Sequence, residues 1–259
     1  MYFHNNYTYL LIIRLLFWCY FLTTPIICIF ITFALCKKLT ARGIMDTAGF
    51  FELFYANVME TSLLEVIAVL FGIISVWFAR QANLLVYPTG IISTVIYVYI
   101  CFVFQLYADM GINIFYTSMS IYGWYAWTRR DANKKVRPIR WNNRRQQLGG
   151  LLFIPLLYVF ILGLIYVFMK NDPGGYMQTY VPYVDSLTTS IFLIAMWFMA
   201  RKKIENWIYW IAGNIISIPL YFAKGLVFTS FQFTVFLILA IMGLTNWIRL
   251  YREEQLRNA

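Results

Sequence analysis

The sequence predicts an all-α polytopic membrane protein of about eight spans. Two parallel three-helix repeats are joined by a linker helix, a 3+1+3 order, with one extra N-terminal transmembrane helix. Three observations carry this. Of 259 residues, 61% are hydrophobic and only 12% are charged, where a soluble domain carries about 25% charge, and the mean hydropathy is +0.66. Eight segments reach or approach the ~20 apolar residues that a bilayer requires. The chain also repeats itself at a spacing near 120 residues.

The first span is expected over 9–36. It is long, contains Arg14 and lacks a small-x-small cleavage site, so it reads as a retained helix rather than a signal peptide. Within the linker that follows, Ile44–Met59 mixes Phe50, Phe51, Phe54 and Tyr55 with Asp46 and Glu52, which suits a helix lying in the interface. Spans at 61–79, 84–106 and 110–127 form the first repeat. A basic cytoplasmic loop and a linker span at 148–169 follow, and spans at 184–200, 207–227 and 229–248 form the second repeat. The organisation is therefore 1–60 for the extra helix and linker, 61–127 for repeat 1, 128–183 for the basic loop and linker helix, and 184–259 for repeat 2 and the cytoplasmic tail.

Three sequence pairs define the repeat. Trp77-Phe78 returns as Trp197-Phe198, and Gly123-x-x-x-Trp127 as Gly243-x-x-x-Trp247. Ile91-Ile92-Ser93 with Tyr97 returns as Ile215-Ile216-Ser217 with Tyr221. The offsets are 120, 120 and 124, which predicts one insertion near the second helix and one compensating deletion. One linker helix between two three-helix units brings the second back in the same orientation. Substrate sites in such transporters lie near the midplane between the repeats.

The net charge of +10 is explained by topology rather than by nucleic acid. Eight basic residues (Arg129, Arg130, Lys134, Lys135, Arg137, Arg140, Arg144 and Arg145) lie in one loop, and Arg201, Lys202, Lys203 and then Arg249, Arg252, Arg257 follow later spans. The positive-inside rule puts these stretches, and both termini, in the cytoplasm. Lys37, Lys38 and Arg42 violate that rule.

Enzymatic and metal chemistry have little to work with. Cys19, Cys28, Cys36 and Cys101 form no CxxC or zinc spacing, and His4 is the only histidine. GxSxG, HExxH and P-loop patterns are absent. The expectation is no enzyme, no cofactor and no metal.

One polar stripe stands out in an apolar segment. Trp207, Trp210, Asn214, Ser217 and Tyr221 are spaced three, four, three and four apart, so they share one helix face within an arc of roughly 80°. Lipid has no use for indoles, a carboxamide, a hydroxyl and a phenol, so the face needs a protein neighbour or a watery cavity. In the first repeat Thr89, Ser93 and Tyr97 form the matching wall, where Pro88 and Gly90 are expected to loosen the helix. Asn113, Tyr116, Thr117, Ser120, Trp124 and Trp127 form a stripe on the next helix, and Gln232, Gly243, Asn246 and Trp247 a sparser one on the last.

Each residue has a plainer reading. Trp124, Trp127 and Trp247 stand where indoles anchor at headgroups, the reading favoured for Trp127 and Trp247, while Trp207 is balanced between anchor and ligand contact. Trp210 and Asn214 lie deeper, where ligand contact is the better use. Asn113, Ser120 and Ser217 serve a ligand or a neighbouring helix equally well. Glu65 is an intramembrane carboxylate and so a functional candidate. Asp185 reads as an N-cap and Lys224 as a snorkelling side chain.

Taken together, Tyr87-Pro-Thr-Gly90, Leu106-Tyr-Ala-Asp109, Ile121-Tyr-Gly-Trp124-Tyr-Ala-Trp127, the Arg201–Ser217 block and Glu65 in its Leu-Glu-Val-Ile-Ala-Val context resemble bacterial PnuC-type vitamin transporters, over residues ~60–252. The N-terminal span departs from that pattern. The resemblance implies a SWEET-like fold and facilitated diffusion of nicotinamide riboside, or of thiamine or riboflavin in related members. Phosphorylation by a cytoplasmic riboside kinase would trap the vitamin. It leaves room for a homo-oligomer, a trimer, and a non-transporting ligand-binding receptor is the alternative class. The cationic nicotinamide ring suits stacking and cation–π contact with indoles and phenols, about 0.5–2 kcal/mol each, and ribose hydroxyls suit Asn, Ser, Thr and Gln.

Overall fold

Seven α-helices follow one another up and down in the computed structural model, which describes residues 62–129, 137–169 and 176–258 together with Glu52 and Tyr55. The expected span at 9–36 and most of the interfacial segment 44–59 lie outside the described residues. Helix α1 is Leu63–Arg80, α2 Val86–Val103 and α3 Tyr107–Thr128. Helix α4 is Arg144–Met169, α5 Val181–Ala200, α6 Asn206–Ala223 and α7 Val227–Asn258, with one turn of 3-10 helix at Tyr176–Gln178. All seven belong to the compact unit Phe54–Ala259. Helices α1, α2, α4, α5 and α7 are long and apolar enough to cross a membrane.

Local chemistry sets the boundaries. Ser62 caps α1, its Oγ accepting from the Glu65 N–H at 3.2 Å. Pro88 is the third residue of α2, where the missing N–H costs nothing because first-turn donors have no intrahelical partner. The helix is therefore not loosened there, contrary to expectation. Asp185 is not an N-cap: α5 begins at Val181, so Asp185 sits one turn inside it.

Turns 120 residues apart are built alike. After α1, Gln81 N bonds Phe78 O at 3.0 Å and Ala82 N bonds Ala79 O at 2.9 Å; after α5, Arg201 N bonds Phe198 O at 3.1 Å and Lys202 N bonds Met199 O at 2.9 Å. Ala82 and Lys202 both take left-handed backbone, φ 53 and 55, and so do Gln105 and Gly225 after α2 and α6, φ 58 and 74. Each pair is 120 positions apart, and so are both ends of α2 and α6. At this spacing Tyr97 aligns with Ser217 and Ser93 with Gly213, which differs from the offset of 124 read in the sequence for the second helix. The shared Ile-Ile-Ser is a likeness displaced by one helical turn.

Packing follows chain order within each half, α1 on α2 on α3 and α5 on α6 on α7. The halves meet where α1 touches α7 and α3 touches α5, while α4 lies on α5. Twelve of the twenty residues of α5 are buried, whereas α4 buries only Gly150 and Ile161. Helix α5 is thus the core element and α4 an outer one. Gly150 admits the Phe198 ring so closely that a Cβ would stand 2.6 Å from it.

Candidate functional site

At the end of the bundle that carries the basic loops, four aromatic rings seal the interior. Tyr87 meets Trp127 edge-on with centroids 5.1 Å apart, Trp127 meets Trp247 at 5.9 Å, and Trp247 meets Trp207 edge-on at 5.6 Å. Their exposures are 0, 3, 0 and 1% in the order Tyr87, Trp127, Trp247, Trp207. Glycines make this possible. A Cβ on Gly123 would lie 2.3 Å from Tyr87, and one on Gly243 would lie 2.6 Å from Trp207. The seal also crosses between halves. Trp127 Nε1 donates to Met199 O at 3.3 Å, and Trp247 Nε1 donates to Ala79 O at 2.9 Å. The headgroup-anchor reading of Trp127 and Trp247 is therefore corrected: both indoles are spent inside the protein. Trp124, 40% exposed, is free to anchor. Asn246 joins the same seam, its Nδ2 donating to Arg80 O at 2.8 Å.

The face of α6 above this seal has a different character. Trp207 Nε1, Asn214 Oδ1 and Ser217 Oγ are buried polar atoms with no hydrogen-bond partner. Such atoms cost about 1–3 kcal/mol each when left unmade, and here a carboxamide oxygen and a hydroxyl lie one turn apart on the same buried face. Trp210 stacks on Phe192, centroids 5.1 Å and planes 27° apart. Phe192 stacks in turn on Phe233, and Phe233 on Tyr221 at 5.0 Å. Pro219 withholds the N–H that the Ile215 carbonyl would receive.

Predicted wall residues on α2 and α3 are mostly engaged elsewhere. Ser93 Oγ donates to Ala68 O at 2.8 Å. Thr94 and Thr117 hydroxyls share a bond of 2.7 Å, and Thr89 Oγ1 turns back on Leu85 O at 2.6 Å. Asn113 Nδ2 donates to Asp109 O in its own helix at 2.9 Å. Ser120, 3% exposed, lies against Gly90, whose Cβ would stand 3.7 Å from it. One hydrogen bond joins distant helices, between the Tyr97 phenol and Gln232, and Tyr116 lies within electrostatic reach of Tyr221.

The opposite end of the bundle is acidic. Asp185 Oδ2 holds Lys224 Nζ at 2.5 Å and accepts from Tyr176 OH at 3.0 Å. Lys224 also stands 4.7 Å from the centroid of the Tyr221 ring, and Asp109 lies within electrostatic reach of both partners. Lys224 is therefore paired rather than snorkelling. Among the described residues every arginine lies at the other, basic end.

Sequence reasoning missed Tyr87, Phe192, Phe233 and Glu205. The 120-residue spacing of the two glycines would have found Tyr87 as the counterpart of Trp207. Glu205, just before α6, is 8% exposed; its Oε1 accepts from Asn142 N at 2.7 Å, and burial pushes its carboxyl above the usual range. Burial likewise lowers the neighbouring Lys202 and Lys203. The strand bridge of Arg140 with Lys203 and the bond from Gln147 Nε2 to Tyr209 OH at 3.2 Å fasten the start of α4 to this corner.

Comparisons with known proteins converge. Residues 62–249 match the model of the family described as nicotinamide mononucleotide transporter. The nicotinamide riboside transporter PnuC of Escherichia coli is 28% identical over 217 residues, covering 75% of this chain and 89% of that one. The riboflavin/roseoflavin transporter RibM of Streptomyces davaonensis is 23% identical over 188 residues, 71% of this chain and 83% of its own. A solved structure, the crystal structure of the vitamin B3 transporter PnuC, superposes with a TM-score of 0.54 at 20% identity, covering 79% of this chain and 90% of that one. That likeness establishes the helical transporter fold.

Proposed function

The chain belongs to the nicotinamide mononucleotide transporter family, and from that premise we propose that it carries nicotinamide riboside across the bacterial inner membrane by facilitated diffusion. The observation that carries this is the α6 face, where Asn214 Oδ1 and Ser217 Oγ are buried without partners beside the aromatic run of Trp210, Phe192, Phe233 and Tyr221. A flat cationic ring finds π faces there and ribose hydroxyls find a carboxamide and a hydroxyl. The substrate wall consists of Trp210, Asn214, Ser217 and Tyr221, with Tyr97, Tyr116 and Gln232 opposite. Trp207, Thr89, Ser93, Asn113, Thr117 and Ser120 support the walls rather than touch the vitamin.

The riboside fits better than its phosphorylated form. Among the described residues all arginines stand at the basic end and Lys224 is already paired with Asp185, so those residues offer no free cation to a phosphate entering from the acidic end. Phosphorylation by a cytoplasmic kinase would then make uptake one-way. The 3+1+3 parallel arrangement of 61–127 and 184–259 around the linker helix is supported by the turns matched 120 residues apart. The reading includes eight spans, cytoplasmic N- and C-termini and a trimeric assembly. The likeness to RibM, a riboflavin/roseoflavin transporter, favours riboflavin as the second candidate.

Uptake of labelled nicotinamide riboside, nicotinamide mononucleotide and riboflavin into sealed proteoliposomes tests the proposal. Equilibration of riboside alone is the expected result. Riboside that binds but never equilibrates would make the protein a receptor, and preferential riboflavin uptake would reassign the vitamin.

A further inference from the structure

We propose that Asp185 and the Tyr221 ring form a cation seat at the acidic end of the bundle, filled at rest by the protein's own Lys224, and that a cationic ligand ring enters by displacing that ammonium. The inference rests on the functional reading above and names the step at which its substrate is selected.

The seat has both parts that a flat organic cation needs. Lys224 Nζ lies 2.5 Å from Asp185 Oδ2 and 4.7 Å from the Tyr221 centroid, so a carboxylate and a π face converge on one positive charge. Tyr176 OH donates to the same carboxylate oxygen at 3.0 Å, which fixes its orientation independently of the lysine. A pyridinium ring stacked on Tyr221 would satisfy the same two groups, with more π overlap than an ammonium provides.

Charge makes the exchange feasible. Among the described residues the acidic end holds Glu65, Asp109 and Asp185 but only one cation, Lys224. Asp109, at the start of α3, lies within electrostatic reach of both Asp185 and Lys224. Asp185 holds the ammonium and Asp109 lies within its electrostatic reach, so among the described residues this pair of carboxylates is served by one positive charge. When a ligand cation takes Asp185, Lys224 passes to Asp109 and neither charge is left bare in a low-dielectric site. An ion pair serving only to tie α5 to the end of α6 would need one carboxylate, not two. The seat also leads somewhere: Tyr221 is one turn beyond Ser217, whose buried hydroxyl has no partner.

Charge state separates this role from a structural one. Nicotinamide riboside is a cation, and its dihydro form is a neutral ring of nearly the same shape. Binding of both to the purified full-length protein is followed by tryptophan fluorescence. In Lys224→Met the affinity for the cationic form is expected to rise at least threefold while that for the neutral form holds. In Asp109→Asn, with no carboxylate to receive the lysine, cation affinity is expected to fall at least threefold and the neutral form again to hold. Equal changes for both forms, or weaker cation binding in Lys224→Met, would overturn the seat and leave Asp185–Lys224 a structural tie. Wild-type liposomes that take up neither form would sink the functional reading itself; uptake with charge-blind variants sinks only the seat.

Discussion

Helices α2 and α6 begin and end 120 positions apart, enter from turns of the same kind and leave through turns of the same kind, yet they treat their polar side chains in opposite ways. On α2, Ser93 is bonded to the α1 backbone, Thr94 to Thr117 on α3 and Thr89 to its own helix. On α6, Asn214 and Ser217 are as deeply buried and have unserved oxygens. Matching bounds leave side-chain use free to diverge: one wall is glued shut by its hydroxyls and the other keeps them in reserve. A substrate site between the halves is then expected to be lopsided, with affinity concentrated on α6 and rigidity on α2.

The largest expected effects probe what the halves share. Gly123→Ala and Gly243→Ala each drive a Cβ into a buried ring, at 2.3 Å from Tyr87 and 2.6 Å from Trp207; each should cost about 1–3 kcal/mol of stability, read as a lower melting temperature. Gly111→Ala, with nothing within 4 Å, should not. A large loss at one seam glycine and none at the other would break the correspondence.

Next comes the contrast itself. Asn214→Ala or Trp210→Ala should weaken riboside binding at least tenfold, about 1.4 kcal/mol, and Asn214→Ala should leave the melting temperature nearly unchanged because its Oδ1 serves nothing in the protein. Ser93→Ala should do the reverse, losing about 1 kcal/mol of stability with affinity intact. Titration of tryptophan fluorescence beside a thermal melt decides it; unchanged affinity in both α6 variants would sink the site.

Smaller effects sharpen the picture at the basic end. Trp247→Phe removes the 2.9 Å bond to Ala79 O and Trp127→Phe the 3.3 Å bond to Met199 O, each worth about 1 kcal/mol, the first the larger. Glu205 stands where α2 has Leu85. Burial raises the Glu205 carboxyl above the value of an unfolded chain, so its protonated form favours the fold and stability falls as pH rises through the folded-state titration. Glu205→Gln keeps an acceptor for Asn142 N and removes the charge. Its melting temperature should exceed wild type at neutral pH, with the gain shrinking as pH is lowered; a pH-independent difference would refute the assignment.

Much of this was legible in the sequence because bilayer physics is blunt. Long apolar runs and basic flanks located the helices from 63 onward to within about four residues, except that α7 runs to Asn258, ten residues past the expected end, and the 3-4-3-4 spacing put Asn214 and Ser217 on one buried face. What was missed depends on partners far apart in the chain. Indoles near a helix end look the same whether they meet headgroups or a carbonyl across the molecule, so Trp127 and Trp247 read as anchors. Asp185 and Lys224 are 39 positions apart and were read singly, as a cap and a surface lysine. The offset of four at Ser93 arose because identical tripeptides outweighed the glycine and tryptophan spacing of 120, which the turns and helix ends share. Hydroxyls look alike in sequence whether bonded, as at Ser93, or unserved, as at Ser217.

The two crossed indole bonds bear on how the protein is made. Trp127 leaves the ribosome before its acceptor at Met199, and Ala79 O must wait for Trp247, the last of the four. During synthesis the first three helices therefore enter the membrane with an indole donor unspent at the face the second half will cover. Biogenesis must hold that face open and shielded until α5 arrives. Two separately expressed halves, each with an unfinished edge, would be expected to find each other by completing it.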